Sequence, residues 1–481
     1  MTRKTFWILF TLAAVLRIFL LGRAPLWYDE NFTLILARLP FARMIAATAG
    51  DVHPPLWYLI EWTMYHVAPW LPAWAIRIPA LVFSLLAFVM FIHVCNALYI
   101  PQRVTVAAAA LMAVLPMQLW YAQEGRMYAM LEFLVLAALW AGLTRQWIWF
   151  FLCSLAMLYT QNYGMFYLAV ISFVLVVLDW RSSAQAMIAM TAAALLYMPW
   201  VFVIARQMTE INGRYWIVNS GAGAVLNAVY KQFWAMAMYE PGVVPSFVLT
   251  FAALIIGGYF LLRDRHTAWW PVLAMAFAPL ALAWLVSVMW QPLLLFRPLI
   301  GISPFLYLVV VWPVIRWTQP ERLYAACFAM PLLVLGMGGY YTQIPAMKGE
   351  GVISPLLTVM DYVRAHWQPG DVIYYTDDGP MVNLMPYADD LPQYRMPACE
   401  EKIGFAPVLG SLSDKTREAI GIQVTDLDDV TYTRAWVFAP RSPLHPLCYE
   451  DQIRFIAVGD PLITVDDNEF ISSGVWLVEK Q

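Results

Sequence analysis

Long apolar runs separated by short polar punctuation dominate the first two thirds of the chain. Runs of about 16 to 23 residues fall near 5–22, 78–100, 104–119, 128–144, 146–162, 164–179, 184–204, 246–262, 268–288, 297–315 and 322–341, and each suits a helix crossing a hydrocarbon core of about 30 Å. The pattern predicts about eleven transmembrane helices. The alternating ten-residue strands of a closed barrel are absent. Two further stretches are apolar but carry charge: Pro54 to Trp70 contains Glu61 and His66, and Leu34 to Ala49 contains Arg38, Arg43 and a Leu39-Pro40 break. Both are expected to lie along the membrane surface.

Beyond residue 341 the periodicity changes. A helical pattern over Ser354 to Trp367 precedes strand-length runs at Val372–Thr376, Ala435–Ala439, Ile453–Val458 and Val475–Val478. The chain therefore divides into a transmembrane region, 1–341, and a small C-terminal α/β domain, 342–481. The fold class expected is a polytopic α-helical membrane protein with that domain outside the bilayer.

Composition agrees. Of 481 residues, 62% are hydrophobic and 13% charged, with 23 Trp, 25 Tyr and 26 Phe, where a soluble protein carries about 25% charge. Arg3, Lys4, Arg103, Arg145, Arg181, Arg263, Arg265, Arg316 and Arg322 all fall in alternate, short connections, which places those connections in the cytoplasm. The N-terminus is then cytoplasmic, and loops 23–77, 120–127, 205–245 and 289–296 face outward with the tail. Met-Thr-Arg-Lys before the first run resembles a signal peptide, but no small-residue cleavage site follows, so the run reads as a retained anchor. A plasma or inner membrane is the expected location.

Cys95, Cys153 and Cys327 lie in apolar runs, whereas Cys399 and Cys448 lie in the C-terminal domain, where a disulfide is one open reading. No Walker loop, dinucleotide fingerprint, internal repeat or zinc-ligand spacing occurs, and the six His are scattered. An ATP-driven pump is disfavoured, and neither a metal nor another cofactor nor a nucleic-acid partner is expected. Asp29, Glu30 and Asp51 are the only residues that suggest oxygen ligands for a divalent cation, without a third acidic motif to support them.

Charged residues collect instead in the outward loops. Tyr28-Asp29-Glu30 follows the first run, and Asp51-Val52-His53-Pro54-Pro55 follows in the same loop. Gln123-Glu124-Gly125-Arg126-Met127-Tyr128 forms a short outer turn. Arg214-Tyr215-Trp216-Ile217 and Lys231 lie in the large outer loop, and Phe296-Arg297-Pro298 opens a late run. Ionisable residues at membrane depth are costly and so mark function. The inventory suits group transfer from a lipid-linked phosphosugar. One carboxylate would take the proton of an attacking hydroxyl, and Arg or Lys would stabilise the departing phosphate. Glycoside hydrolysis would ask for two carboxylates.

The order Tyr28-Asp29-Glu30, Asp51-x-His53-Pro54-Pro55-Leu56, Arg77-Ile78-Pro79-Ala80-Leu81 and Gln123-Glu124-Gly125-Arg126-Met127-Tyr128-Ala129 resembles the GT-C membrane glycosyltransferases, within them the protein mannosyltransferase and lipid A aminoarabinose transferase group. The resemblance spans about 340 residues and is specific in the first 130. It implies a polyprenyl-phosphate-sugar donor, dolichyl or undecaprenyl, with inversion at an outward-facing site and a hydroxyl acceptor on protein, glycolipid or cell-wall polymer. It also implies that Asp29 is the base, Glu30 its support, and Arg126 and Arg297 phosphate ligands. At Arg297-Pro298 the chain departs from the commoner Arg-Tyr pairing. The resemblance further implies a covering loop at Arg214–Ile217 before an interfacial helix at about 222–235 that carries Lys231. Asp51, His53, Glu124 and Tyr128 are supporting candidates.

Blander readings stand beside these. Asp29-Glu30 would also suit the N-terminal dipole of a surface helix, and His53 would suit the extended turn that a following proline imposes. Glu124 and Arg126 would serve as a solvated turn pair, and Arg297 would snorkel to headgroups. Trp27, Trp57, Trp62, Trp70, Trp74 and Trp120 read as interfacial belt residues. Arg17, inside the first run, has no partner visible in the sequence. The rival functions are a lipid-linked sugar flippase or transporter, which would place ionisable residues around a repeat axis, and an assembly protein whose working part is the tail.

Overall fold

The computed structural model describes residues 1–211, 221–235, 243–264, 266–315, 353–375, 378–396, 412–425, 429–440, 454–456 and 473–479. The expected last span at 322–341, Arg214 and its loop, Cys327, Cys399 and Cys448 lie outside the described residues.

Among the described residues, four helices are long and apolar enough to cross a membrane: Ala73–Ala97, Ala184–Thr209, Val243–Asp264 and Trp269–Met289. Shorter apolar helices, α8 (Tyr128–Leu143), α9 (Trp147–Thr160), α10 (Gly164–Leu178) and the segment Arg297–Val311, pack among them. The protein is an integral membrane protein. Helix α8 is buried over most of its length against α5 (Ile78–Ala97), α9 and α10, so it forms the core of the bundle.

The expected span at 104–119 is broken. Helices α6 (Gln102–Val114) and α7 (Pro116–Ala122) meet at a bend of 54°. Pro116 has no N–H to offer the Met112 carbonyl four residues earlier, so the carbonyls at the break need another donor. Arg17 of α1 (Arg3–Ile18) supplies it. Its guanidinium donates to Met112 O at 2.8 Å, Ala113 O at 3.0 Å, Ala13 O at 3.2 Å and Ser84 Oγ at 2.8 Å. The arginine that lacked a partner in the sequence is thus a fully buried plug for a helix break.

The long connection 23–77 folds into three helices: α2 (Tyr28–Arg38), α3 (Phe41–Gly50) and α4 (Leu56–Val67). The break at Leu39-Pro40 falls where the sequence places it. However, α2 begins at Tyr28 rather than near Leu34, so Asp29 and Glu30 sit in the first helical turn instead of in a loop before it. Glu30 reaches back to the Trp27 N–H at 3.4 Å, as the acid of a capping box does. Both acids also favour the positive end of the helix dipole.

In the C-terminal part a five-stranded sheet has the order β2-β1-β3-β5-β4. Its strands are β1 (Asp371–Tyr375), β2 (Gln393–Arg395), β3 (Arg434–Pro440), β4 (Arg454–Ile456) and β5 (Ser473–Glu479). β1 pairs in parallel with β2 and β3, while β5 is antiparallel to β3 and β4. The three-residue β2 was not expected from the sequence. Helix α16 (Ile353–Ala365) precedes β1, and α17 (Asp378–Leu384) and α18 (Asp414–Ile420) turn toward the surface helices. α17 packs on α2 and α18 on α3. Ser413 Oγ donates to Gly50 O at 2.8 Å, Thr416 Oγ1 to Ala47 O at 3.3 Å, and Arg43 Nε to Ala419 O at 2.9 Å. A Cβ at Gly50 would stand 2.6 Å from Thr416 Oγ1, so only glycine permits this approach.

Candidate active site

The two acids of α2 have different surroundings. Glu30 is fully buried, and Arg77 grips it with Nε on Oε1 and Nη2 on Oε2, both at 2.7 Å. Arg77 also donates to the carbonyls of Leu21, Ala24 and Pro25 at 2.8, 2.9 and 3.1 Å. Glu30 Oε1 in turn accepts the Gly125 N–H at 2.8 Å. Gly125 O accepts from Trp57 Nε1 at 3.3 Å, and a Cβ at Gly125 would stand 2.8 Å from the Ile76 side chain. One buried carboxylate therefore ties α2, the start of α5 and the turn before α8 together. Glu30 is thus committed to Arg77 and Gly125, whereas its neighbour is not.

Asp29 lies on the open side of the same helical turn. Its carboxylate is a quarter exposed, and Oδ2 accepts from Arg297 Nη1 at 2.8 Å. Oδ1 makes no hydrogen bond among the described residues. Arg297 opens a 3₁₀ turn, Arg297–Ile302, that leads into α15 (Ser303–Val311). Pro298 fits there because its missing N–H lies in the first turn. The guanidinium of Arg297 also stacks over Trp27 at 4.8 Å. Arg297 thus faces the acid rather than snorkelling to headgroups.

Arg126 is buried, 3% exposed. Its Nη1 donates to Tyr58 OH at 3.1 Å, Thr33 Oγ1 at 3.3 Å and Asp29 O at 3.4 Å, all neutral acceptors. It has no salt bridge among the described residues, and its buried Nε has no hydrogen-bond partner there. Asp29 and Asp51 act on it electrostatically without a direct ion pair, and the unpartnered Nε leaves a donor for an anion. Tyr58 OH passes the contact on to Asp51 Oδ2 at 3.4 Å. Burial, partly offset by Arg126, holds the Asp51 carboxyl above its usual range. Burial, with Arg126 and Arg297, holds the His53 imidazole well below its usual value, which keeps it neutral. His53 sits in a turn whose Val52 carbonyl accepts from Asn162 Nδ2 at 3.0 Å.

Helix α12 (Ala222–Trp234) brings in Lys231, whose ammonium lies over the Phe296 ring at 4.5 Å. Burial and the neighbouring Arg297 lower the Lys231 pKa. Tyr128 packs edge-on against Tyr121 at 4.9 Å, and Glu124 accepts a hydrogen bond from Trp120 Nε1.

The structure thus gathers Asp29, Arg126, Arg297, Lys231, Asp51 and His53. Sequence reasoning left Arg77, Tyr58 and Thr33 out of the site. Arg77 enters the sequence reading only within the Arg77-Ile78-Pro79-Ala80-Leu81 motif, and Tyr58 and Thr33 carry no signal there. A further buried acid, Glu132 in α8, accepts from Gln118 Nε2 at 2.7 Å and also went unnoticed, although an acid inside an apolar run was its signal.

No protein-family model and no curated protein matches the chain. Among solved structures it is similar to ArnT from Cupriavidus metallidurans in the apo state, with a TM-score of 0.57 and 15% identity over 99% of this chain and 98% of that one. It is also similar to the same protein bound to undecaprenyl phosphate, with a TM-score of 0.55, 15% identity and the same coverage. Over nearly its whole length, the chain therefore shares the fold of ArnT.

Proposed function

We propose that the protein is an inverting glycosyltransferase that moves a sugar from a polyprenyl-phosphate carrier to a hydroxyl acceptor on the outer face of the membrane. One observation carries this reading. Among the described residues, Asp29 has one oxygen held by Arg297 and the other without a hydrogen bond, beside an Arg126 that makes no direct salt bridge and with Lys231 next to Arg297. Three cations are brought together with one direct salt bridge among them, so the site suits an anion together with a single base. The similar fold seen with undecaprenyl phosphate bound supports a polyprenyl phosphate as that anion.

In this scheme the donor phosphate lies against Arg126, Arg297 and Lys231. It competes with Asp29 for Arg297 and loosens that salt bridge. The acceptor hydroxyl attacks the anomeric carbon opposite the phosphate. The new C–O bond forms as the bond to phosphate oxygen breaks, and the carrier leaves as an anion stabilised by the cations. The hydroxyl proton passes to Asp29. Neutral His53 accepts or donates a hydrogen bond without adding charge. The remaining parts of the proposal are about eleven spans, a cytoplasmic N-terminus, a C-terminal α/β domain outside the bilayer and Arg214 in a covering loop.

The deciding experiment uses purified protein, a polyprenyl-phosphate-sugar donor and a panel of hydroxyl acceptors. Wild type is expected to transfer the sugar, and Asp29→Asn, folded normally, to lose activity by about 100-fold or more. Full transfer by that variant would refute the assignment. Mass spectrometry of co-purified lipid is expected to find a polyprenyl phosphate.

A further inference from the structure

The cationic side of the site raises a physical problem, since Lys231 and Arg297 repel each other and come from different parts of the chain. Lys231 is on α12, and Arg297 opens the 3₁₀ turn before α15. The residue after Lys231 joins them. Gln232 is fully buried, and its Nε2 donates to Phe296 O at 2.9 Å and to Ala228 O of its own helix at 3.1 Å. Its Oε1 accepts from Ser303 Oγ at 2.7 Å, and its backbone carbonyl accepts from Tyr307 OH at 2.7 Å. Phe296 is the pivot. Its carbonyl is held by the carboxamide, its ring carries the Lys231 ammonium at 4.5 Å, and the next residue is Arg297.

We infer that Gln232 is a positioning residue that holds Lys231 and Arg297 at one anion site, acting on donor binding through Lys231. A carboxamide suits this place because it donates and accepts at once. A leucine of similar size would leave Phe296 O with the Leu299 N–H alone and take away the acceptor of Ser303 Oγ, and a carboxylate would lack the side-chain N–H that Phe296 O receives. Trp234 Nε1 to Thr250 Oγ1 at 2.8 Å and Tyr230 OH to Ser246 Oγ at 2.6 Å anchor α12 independently. Loss of the Gln232 contacts should therefore shift the pairing without releasing the helix.

The inference rests on the donor being a polyprenyl phosphate. The test measures binding of undecaprenyl phosphate to the full-length protein in detergent, with transfer measured at saturating donor. Gln232→Leu is expected to weaken binding about tenfold while leaving the turnover rate at saturation within about threefold. In a Lys231→Met background, Gln232→Leu should add little further weakening, because the two act as one unit. Additive effects, or wild-type binding by Gln232→Leu, would overturn the inference. If Gln232→Leu does not fold, Ser303→Ala decides: it should weaken binding in the wild-type background and be silent with Lys231→Met, and equal effects in both would overturn the inference. Failure of wild type to bind any polyprenyl phosphate would instead remove the functional reading beneath it.

Discussion

Asp29 and Glu30 are neighbours of the same charge, yet the structure gives them different partners and burial, and paired substitutions test whether their roles separate. Glu30→Gln keeps the shape and removes the charge that Arg77 faces, at side-chain exposures of 1% and 2%. Breaking a buried ion pair from one side costs about 3–5 kcal/mol because the remaining charge is uncompensated. Arg77 keeps three carbonyl acceptors, at Leu21, Ala24 and Pro25, which places the expected loss near the lower end, about 3 kcal/mol. That corresponds to a fall in melting temperature of roughly 3 °C for a chain of this length. Asp29→Asn perturbs a pair exposed by 21% and 25%, where solvent screening limits the effect to about 1 kcal/mol or less. Thermal unfolding in detergent, followed by tryptophan fluorescence, should therefore separate a destabilised Glu30→Gln from a nearly unchanged Asp29→Asn. Activity should fall in both, through loop register in the first and loss of the base in the second. A stable Glu30→Gln together with an unstable Asp29→Asn would refute this division.

Glu61 of α4 is fully buried, and neither carboxyl oxygen has a hydrogen-bond partner among the described residues. Burial, with Glu30 nearby, pushes its pKa well above the usual value, so the folded state keeps a proton that the unfolded chain releases. Stability from this group is present below about pH 4.5 and declines as pH rises toward the folded pKa, by at most about 1.4 kcal/mol per unit. Glu61→Gln should flatten the fall of melting temperature between pH 5 and 8, and unchanged slopes would count against the assignment. Tyr58→Phe removes the hydroxyl between Arg126 and Asp51, and should lower transfer about tenfold with melting temperature nearly unchanged. Gly50→Val should clash with Thr416 and loosen the C-terminal part from α3. Limited proteolysis should then cut residues 342–481 faster, and Thr416→Ala in the same chain should partly restore resistance.

The legible parts of this protein share a reason. Membrane spans are set by composition over a whole run, and Asp29 was visible because an acid at the end of an apolar run is costly wherever it points. Arg77 was not, because its partner lies 47 residues away and only the fold joins them. Arg17 shows the same limit: it answers carbonyls 95 and 96 residues distant, which Pro116 frees. Pro116 itself was a signal, but it lies in an apolar run that reads as one continuous span. Gln232 looks like any polar residue of an amphipathic helix until Phe296 and Ser303 are beside it.

The proposed role of Asp29 as base also draws support from what the fold does to the neighbouring acids and to His53. The chain carries a formal net charge of −3, so overall charge gives no hint of a cationic site. Locally, Glu30 is neutralised by Arg77, burial raises Asp51 and Glu61 toward their protonated forms, and His53 is held neutral by burial and two arginines. Asp29 keeps a free oxygen because it lies at the start of α2, partly exposed and held only at Oδ2. If a polyprenyl phosphate draws Arg297 away from Asp29, the same event that loads the donor also frees the base. Donor binding should then come before productive acceptor binding, and product inhibition by undecaprenyl phosphate competitive with the donor would agree with that order. A random order in steady-state kinetics would mean that Arg297 stays with Asp29 throughout.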